Sequence, residues 1–279
     1  MTADVDTGYV TAVPGSEVVL VGNQSTWENI ANPNAAQEDN SDGWTCYENH
    51  TAFGIPVQDC MPADGRSHSV GAVEFGTDGS LFFANGDASS FVIVDPRAMR
   101  SLDPDSLTGK IMRIDSITGE GLPDNPFFDG NPNSNRSKIY NLGLRNPYRF
   151  TIDPYTNMPW IGDVGWTTWE EVDSGRGQDF GWPCYEGGNG QNLRTDGYEA
   201  LTQCVTYYAN NNANPPAFME SGRYWRGRTG GADLHRGCLS GRLRRRPFLC
   251  RLCEGLDQIS NAGRSNLRFC RQHPGACRS

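Results

Sequence analysis

Short apolar runs separated by turn residues predict β-hairpins in the first part of the chain. Val73 to Phe75 alternates apolar and charged positions, Thr77 to Gly79 has the composition of a tight turn, and Leu81 to Ala84 is continuously apolar. This order is typical of a strand, an Asp-Gly turn and a second, more buried strand. We therefore predict a hairpin over residues 73–84.

The same pattern recurs about 76 residues downstream. Phe150 to Ile152 and Pro159 to Ile161 are the second pair of apolar runs, and residues 153–157 between them have turn composition. Both copies close with the same dipeptide, Gly86-Asp87 in the first and Gly162-Asp163 in the second. A recurring hairpin indicates a repeat architecture built from sheets.

Four further apolar runs are strand candidates, and no window shows a sustained helical stripe. These runs are Glu17–Val21, Phe91–Val94, Lys110–Ile114 and Ile139–Leu144. Recurring hairpins with long polar loops predict an all-β fold, a β-propeller with loop insertions. A β-sandwich is the alternative, although its strands are usually more evenly spaced.

Composition and charge divide the chain into two parts. Glycine and proline make up 50 of the 279 residues, which favours strands and turns over helices. The net charge of −9 combines −19 up to Glu220 with +10 from Ser221 onward, where all 13 basic residues are arginine. An arginine-rich end is typical of a nucleic-acid-binding arm. No apolar run approaches the length of a membrane span, and MTADVDTGYV lacks the pattern of a signal peptide.

The nine cysteines divide at the same place. Cys46, Cys60, Cys184 and Cys204 have spacings that suit two local disulfides, Cys46 with Cys60 and Cys184 with Cys204. Such bonds indicate an oxidising compartment, whereas reduced, buried thiols are the alternative. The Cys250–Cys253 pair lacks a partner pair at the spacing of a zinc site.

Polar residues in several loops are candidates for chemistry. His68 precedes a predicted strand, Asp87 ends the next, Arg145-Asn146 follow another, and Glu170-Glu171 lie in a loop after Gly165-Trp166. Strand ends of a propeller cluster at one mouth of its central channel, so we expect these groups to converge. Taken singly, each also has an ordinary structural explanation, as a loop histidine, a turn cap, a salt bridge or solvated charge.

Six phrases occur in order along the chain: HSVGAVEFGTDGSLFFANGD, DSLTGKIMRID, GLPDNPFFDG, NLGLRNPYRF, IGDVGWTTWEEVD and FGWPCYEGG. Together they resemble the soluble quinoprotein glucose/sorbosone dehydrogenase family, most of all its secreted bacterial branch. The resemblance covers roughly Val18 to Glu220.

The resemblance implies a six-bladed β-propeller that holds pyrroloquinoline quinone (PQQ) and calcium and oxidises an aldose at C1 to the lactone. His68 matches the general base, and Asp87 matches the acid that orients it. Arg145 matches the arginine over the quinone carbonyls, and Asn146 matches a cofactor-binding amide. The implied partners are a small sugar and an electron acceptor of unspecified identity, and the implied location is extracellular or periplasmic.

The resemblance also implies two calcium sites. Backbone carbonyls at Gly165 and Trp166 match ligands of the cofactor calcium, and Trp166 replaces a proline found in some members. Glu171 and a backbone carbonyl near Phe180 match ligands of a second, structural calcium. A hard cation with oxygen ligands suits both sets.

The ends of the chain depart from the family. The family's first blade should precede Glu17, and the resemblance stops near Gly231. Reading possible codons of Ala232 to Gln258 one base later permits RIYTGAAYPAAYDGALFFADYARGWIK, which resembles the family's missing continuation. We therefore predict an incomplete propeller over residues 1–230 and a frameshifted, non-native tail over 231–279, without a selected nucleic-acid function.

Three hypotheses follow for the function. The first is that the chain derives from a PQQ-dependent aldose dehydrogenase. On this hypothesis, the chain as written has no useful dehydrogenase activity. The second is a non-catalytic sugar- or protein-binding propeller, because a fold does not fix a function. The third is a fragment without a stable fold. The spacing of His68 and Asp87 favours the first, since a binding module has no need of a paired base.

Overall fold

Antiparallel strands dominate the computed structural model, which describes residues 4–27, 43–65, 67–167, 169–187 and 194–211. All of them belong to one unit, Met1–Arg226. The strands are β1 (Val70–Phe75), β2 (Leu81–Asn85), β3 (Lys110–Ile114), β4 (Ile139–Asn141), β5 (Pro147–Ile152), β6 (Pro159–Asp163) and β7 (Glu171–Ser174). They form a four-stranded sheet, β1-β2-β3-β4, and a three-stranded sheet, β5-β6-β7. The predicted β-rich fold is thus confirmed at the level of antiparallel sheets.

Helices in the described part of the chain are short. The α-helices are α1 (Asn135–Lys138) and α2 (Thr202–Asn211), and the 3-10 helices are Val5–Thr7, Glu48–His50, Pro96–Leu102 and Tyr198–Ala200. None of these described helices has the length and apolarity needed to cross a bilayer.

The two predicted hairpins are present with different turn residues. In the first, Gly79 has a φ of 84°, a region that glycine enters without steric cost. In the second, Asn157 has a φ of 55°, which asparagine tolerates better than most residues. The Asn157 side chain also accepts a hydrogen bond from the Thr77 amide at 2.8 Å, so the two turns contact each other.

The first strands of the two sheets lie side by side. The Arg149 Nη1 donates to the Gly71 carbonyl at 2.6 Å, and the Ile152 amide donates to the Glu74 carboxylate at 3.3 Å. One apolar core joins both sheets, because burying this surface is what drives such packing. It consists of Phe82, Ala84, Ile111, Tyr140, Leu144, Phe150, Ile152, Ile161 and Phe180.

Two strand predictions are wrong and one is too long. Glu17–Val21 and Phe91–Val94 are not strands, and only Ile139–Asn141 of the run 139–144 is one. Near Phe91 the Ser90 hydroxyl accepts the amides of Val92 and Ile93, at 3.1 and 3.3 Å. These local side-chain bonds compete with strand pairing for the backbone.

Both predicted disulfides are confirmed. The Cα atoms of Cys46 and Cys60 are 5.4 Å apart, and those of Cys184 and Cys204 are 5.2 Å apart. The second bond ties α2 to a small core that contains Trp182, Tyr185, Tyr198 and Tyr208. The predicted tail over 231–279 lies outside the described residues and stays a prediction.

Both lysines of the sequence, Lys110 and Lys138, are buried. The Lys110 ammonium donates to the carbonyls of Arg100, Ser101 and Thr108, at 3.0, 2.8 and 2.6 Å. Burial lowers the pKa of Lys110 to about 7, against the raising effect of Asp103 and Asp179. The ammonium of Lys138 is 3.5 Å from the Asp59 carboxylate.

Candidate active site

A buried histidine–aspartate pair lies at one edge of the first sheet. His68 precedes β1 and Asp87 follows β2, and antiparallel pairing brings the start of one strand to the end of the other. The His68 Nδ1 is 2.8 Å from the Asp87 Oδ1. A Cβ at Gly86 would lie 2.5 Å from the His68 carbonyl oxygen, so glycine at this position permits the close approach.

Arg145 joins this pair to the second sheet. Its carbonyl accepts the Asp87 amide at 2.8 Å, and its own amide donates to the Asp163 Oδ2 at 2.9 Å. The guanidinium donates to the Val164 carbonyl at 2.9 Å and stacks 5.5 and 5.4 Å from the ring centroids of Trp166 and Trp182. Its buried Nε has no hydrogen-bond partner among the described residues.

Asp87 is ionised by its surroundings. Burial raises its pKa, but the charge and hydrogen bond of His68, the charge of Arg145 and the Ser89 amide together hold the pKa below its ordinary value. An ionised carboxylate only accepts hydrogen bonds, so we assign the bridging proton to Nδ1 of His68. The His68 Nε2 is then the ring nitrogen that can take a proton.

Asp163, at the end of β6, has the opposite character. Burial raises the pKa of Asp163 to about 7, although the amides of Arg145 and Asn146 lower it by donating to its two oxygens. The Asn146 amide lies 2.6 Å from Oδ1. Asp163 therefore holds the backbone that precedes β5, where Arg145 and Asn146 lie.

The loop after β6 is held by two carboxylates. The Gly165 amide donates to the Glu170 Oε2 at 3.1 Å, and the Glu186 Oε1 accepts the amides of Trp166, Thr167 and Trp169 at 2.5, 2.9 and 3.3 Å. Burial raises the pKa of Glu170. These four amides are bound to side chains, which fixes the backbone of residues 165–167 next to Arg145.

Three carboxylates form a cluster beside this loop. Ligand oxygens of Asp163, Glu171 and Asp173 all lie within 4.8 Å of one another. Burial, and next the charge of Asp163, raise the pKa of Glu171 well above its ordinary value, against the Gly187 amide that donates to it. Hard oxygen donors at this spacing are suited to a cation such as calcium.

The structure brings most of the predicted site residues together. His68, Asp87, Arg145 and Asn146 form one hydrogen-bonded group, and Gly165 and Trp166 adjoin it through Val164. The side chain of Phe180 belongs to the core between the sheets, and its amide donates to the Leu142 carbonyl at 3.0 Å. The carbonyl ligands predicted at Gly165, Trp166 and Phe180 stay predictions.

Three residues of the group were not identified as site residues from sequence. Asp163 holds two site amides, Trp182 donates to Asp87, and Glu186 holds the loop. The repeated Gly-Asp dipeptide is a signal for Asp163, because it places both aspartates at the same end of a hairpin. For Trp182 and Glu186 only membership in the phrase FGWPCYEGG was available.

The chain is similar in sequence to a known family and to known proteins. The family model described as glucose/sorbosone dehydrogenase matches residues 54–228. The HIPL1 protein of Arabidopsis thaliana is 36% identical over 138 residues, which are 43% of this chain and 19% of that protein. Aldose sugar dehydrogenase YliI of Escherichia coli (strain K12) is 31% identical over 118 residues, 42% of this chain and 29% of that protein.

Among solved structures, the PQQ-bound form of aldose sugar dehydrogenase from Streptomyces coelicolor is similar at 31% identity and a TM-score of 0.39, over 48% of this chain and 36% of that one. The apo-form of the soluble aldose sugar dehydrogenase from Escherichia coli has 29% identity and a TM-score of 0.34, over 41% and 30%. The chain thus spans about a fifth to a third of the length of the two curated relatives named above.

Proposed function

Since the chain belongs to the glucose/sorbosone dehydrogenase family, we propose that its His68–Asp87 pair is the base of a PQQ-dependent oxidation of an aldose at C1. The 2.8 Å contact between His68 Nδ1 and Asp87 Oδ1 carries this proposal. The two sheets then correspond to two blades of a six-bladed propeller, with the site at their shared edge.

The residues of the site divide the work of the reaction. Nε2 of His68 takes the proton from the anomeric hydroxyl, and Asp87 stabilises the imidazolium that forms. PQQ, when bound, would supply a quinone as the acceptor of the hydride from C1, with the lactone as the product. Arg145 would provide a fixed positive charge toward the quinone oxygens, an electrostatic effect that does not require reorganisation.

The donor set fits the two implied groups. PQQ carries carboxylates and quinone oxygens. The Nε of Arg145, which has no partner within the part of the chain that the structure describes, is a buried donor for such an acceptor, together with the side chain of Asn146. The Gly165 and Trp166 carbonyls would hold the calcium next to the cofactor. Glu171, with Asp163, Asp173 and a carbonyl near Phe180, would hold the structural calcium.

The site supports a sugar dehydrogenase of an oxidising compartment. Two disulfides favour an extracellular or periplasmic location, because such bonds persist under oxidising conditions.

We propose that a polypeptide with the reading frame restored after Gly231 is active, whereas the chain as written turns over much more slowly. The physical reason is that a propeller closes only when its last blade meets its first.

The test compares the chain as written with a version in which the reading frame is restored after Gly231. Each is mixed with PQQ, calcium chloride and an aldose, and reduction of a dye acceptor is followed. In the restored version we expect turnover that His68→Ala lowers by about 10²- to 10⁴-fold, the usual contribution of a general base. His50→Ala, at an exposed histidine, is the matched control and is expected to leave turnover unchanged.

Two results would count against the proposal. Full activity of His68→Ala would remove His68 as the base. Aldose binding without PQQ, equal in the parent and in His68→Ala, together with no dye reduction in the restored version, would identify a non-catalytic sugar-binding module.

A further inference from the structure

Trp182 makes a direct hydrogen bond to the carboxylate that orients His68. Its indole Nε1 lies 2.7 Å from the Asp87 Oδ2, and both side chains are buried. The other oxygen, Oδ1, receives the His68 Nδ1 at 2.8 Å and the Ser89 amide at 2.9 Å. Each oxygen of the carboxylate therefore has its own donors, and rotating the group would break all three bonds.

The chemistry of the indole makes this contact selective. An indole N–H only donates, so it has no bonding partner in a protonated hydroxyl that points toward it. A buried carboxylate that loses a donor is destabilised, because nothing replaces the hydrogen bond. Trp182 thus favours the ionised form of Asp87, with Oδ1 turned toward His68.

The position of Trp182 is itself fixed by its neighbours. Its amide donates to the Gly143 carbonyl at 2.9 Å, and its ring packs at 5.0 Å against Tyr198 and at 6.4 Å against Trp166. The Tyr198 hydroxyl accepts the Asp95 amide at 3.1 Å, which holds that ring in turn. A donor held by packing on this scale keeps one geometry.

We propose that Trp182 is a positioning residue, whose indole N–H holds Asp87 in the orientation that keeps His68 in the Nδ1–H tautomer. In the neutral imidazole, Nε2 of His68 is then the bare nitrogen. The proposal about the tautomer concerns the protein without a substrate. The link to sugar oxidation rests on the function proposed above.

The test uses the full chain labelled with ¹⁵N at tryptophan and histidine. The indole resonance of Trp182 is assigned by its loss in Trp182→Phe. We expect Asp87→Asn to move this resonance upfield, because a neutral amide oxygen is a weaker acceptor than a carboxylate. We expect His68 to show one tautomer in the parent and a mixture in Trp182→Phe, seen as convergence of its two ¹⁵N shifts.

A matched control separates positioning from general loss of packing. Trp44 is also buried, stacks on Tyr47 and lies near Arg100. Trp44→Phe removes the same atoms from the protein and is expected to leave the Trp182 resonance and the His68 tautomer unchanged. An unchanged His68 tautomer in folded Trp182→Phe would overturn the inference.

A second variant covers the case in which Trp182→Phe does not fold. Benzothienylalanine at position 182 keeps the shape of the indole and replaces its N–H by sulphur, so a mixed His68 tautomer is again expected and a single tautomer overturns the inference. In the frame-restored protein, kcat should fall at least tenfold with KM within twofold. A mixed tautomer without any sugar oxidation would support the positioning role and reject the proposed function, whereas full kcat with a single tautomer would do the reverse.

Discussion

Asp87 and Asp163 occupy the same place in two copies of one pattern and have opposite properties. Each follows a glycine at the end of the second strand of a hairpin, and each carboxylate is buried. Asp87 receives side-chain donors from His68 and Trp182 besides the Ser89 amide. The hydrogen bonds described for Asp163 come from two backbone amides.

The comparison shows that partners, not position, decide whether a buried acid is charged. Both aspartates are desolvated, which raises the pKa of each. Only Asp87 has the charge of His68 beside it, and its pKa is held below the ordinary value, whereas that of Asp163 rises to about 7. The repeat therefore supplies one acid suited to orient a base and another suited to hold backbone.

The largest expected effect is on turnover, which substitution of the two aspartates should lower to different extents. In the frame-restored protein, Asp87→Asn is expected to lower kcat by about 10²- to 10⁴-fold, because the base loses its charged partner. Asp163→Asn is expected to lower kcat by a smaller factor, since its amide can still accept from one of the two backbone donors. Dye-linked assays of both variants decide this, and equal losses would erase the distinction.

The next largest effect concerns the two disulfides. Replacing either cysteine pair by serine should lower the free energy of unfolding by about 3 kcal/mol in the chain-entropy model, because the bonds close loops between cysteines 14 and 20 positions apart. Only loss of Cys184–Cys204 should also shift the Trp182 indole resonance, since that bond lies in the core around Trp182. Urea unfolding and the tryptophan spectrum measure the two readouts. A shift of equal size after loss of Cys46–Cys60 would show that the resonance reports global stability.

The smallest effect is on the pH dependence of stability, measured by urea unfolding in EDTA. The raised pKa of Asp163 contributes stability that is full below its unfolded pKa of about 4 and is lost as the pH rises through about 7. The lowered pKa of Asp87 contributes stability that is present above about 4 and is lost at more acid pH. Asp163→Asn should therefore remove a decline between pH 4 and 7. Asp87→Asn should remove a loss below pH 4, and slopes of the same sign would contradict the assignment.

The local sequence predicted the hairpins because both periodicity and turn chemistry agreed there. Val73–Phe75 and Leu81–Ala84 alternate or run apolar up to a turn that contains Gly79, and the strands formed as expected. Glu17–Val21 has similar apolar content, but Val18 and Val19 are 63% and 53% exposed. A β-strand needs a neighbouring strand to pair with as well as an apolar pattern. The local sequence does not specify that neighbouring strand.

The sequence did not predict helix α2 or the role of Trp182, because both depend on tertiary contacts. Over residues 202–210 of α2, only Cys204 and Tyr208 are buried, and the disulfide to Cys184 anchors the helix where its sequence has little apolar surface. The resemblance supplied His68, Asp87 and Arg145 as a set. The bond between Trp182 and Asp87 joins residues 95 positions apart, and neither periodicity nor spacing predicts it.

The burial of both lysines shields their side-chain amines from amine-reactive reagents in the folded chain. Lys110 lies in its cage of three carbonyls and Lys138 beside Asp59, so acylation of either amine requires the surrounding structure to open. Rates of lysine modification, read by mass spectrometry, therefore report how often this part of the molecule unfolds. Immobilisation through the lysine side chains would likewise select unfolded molecules, whereas Arg176 and Arg194 are exposed and offer attachment points for guanidinium-directed chemistry.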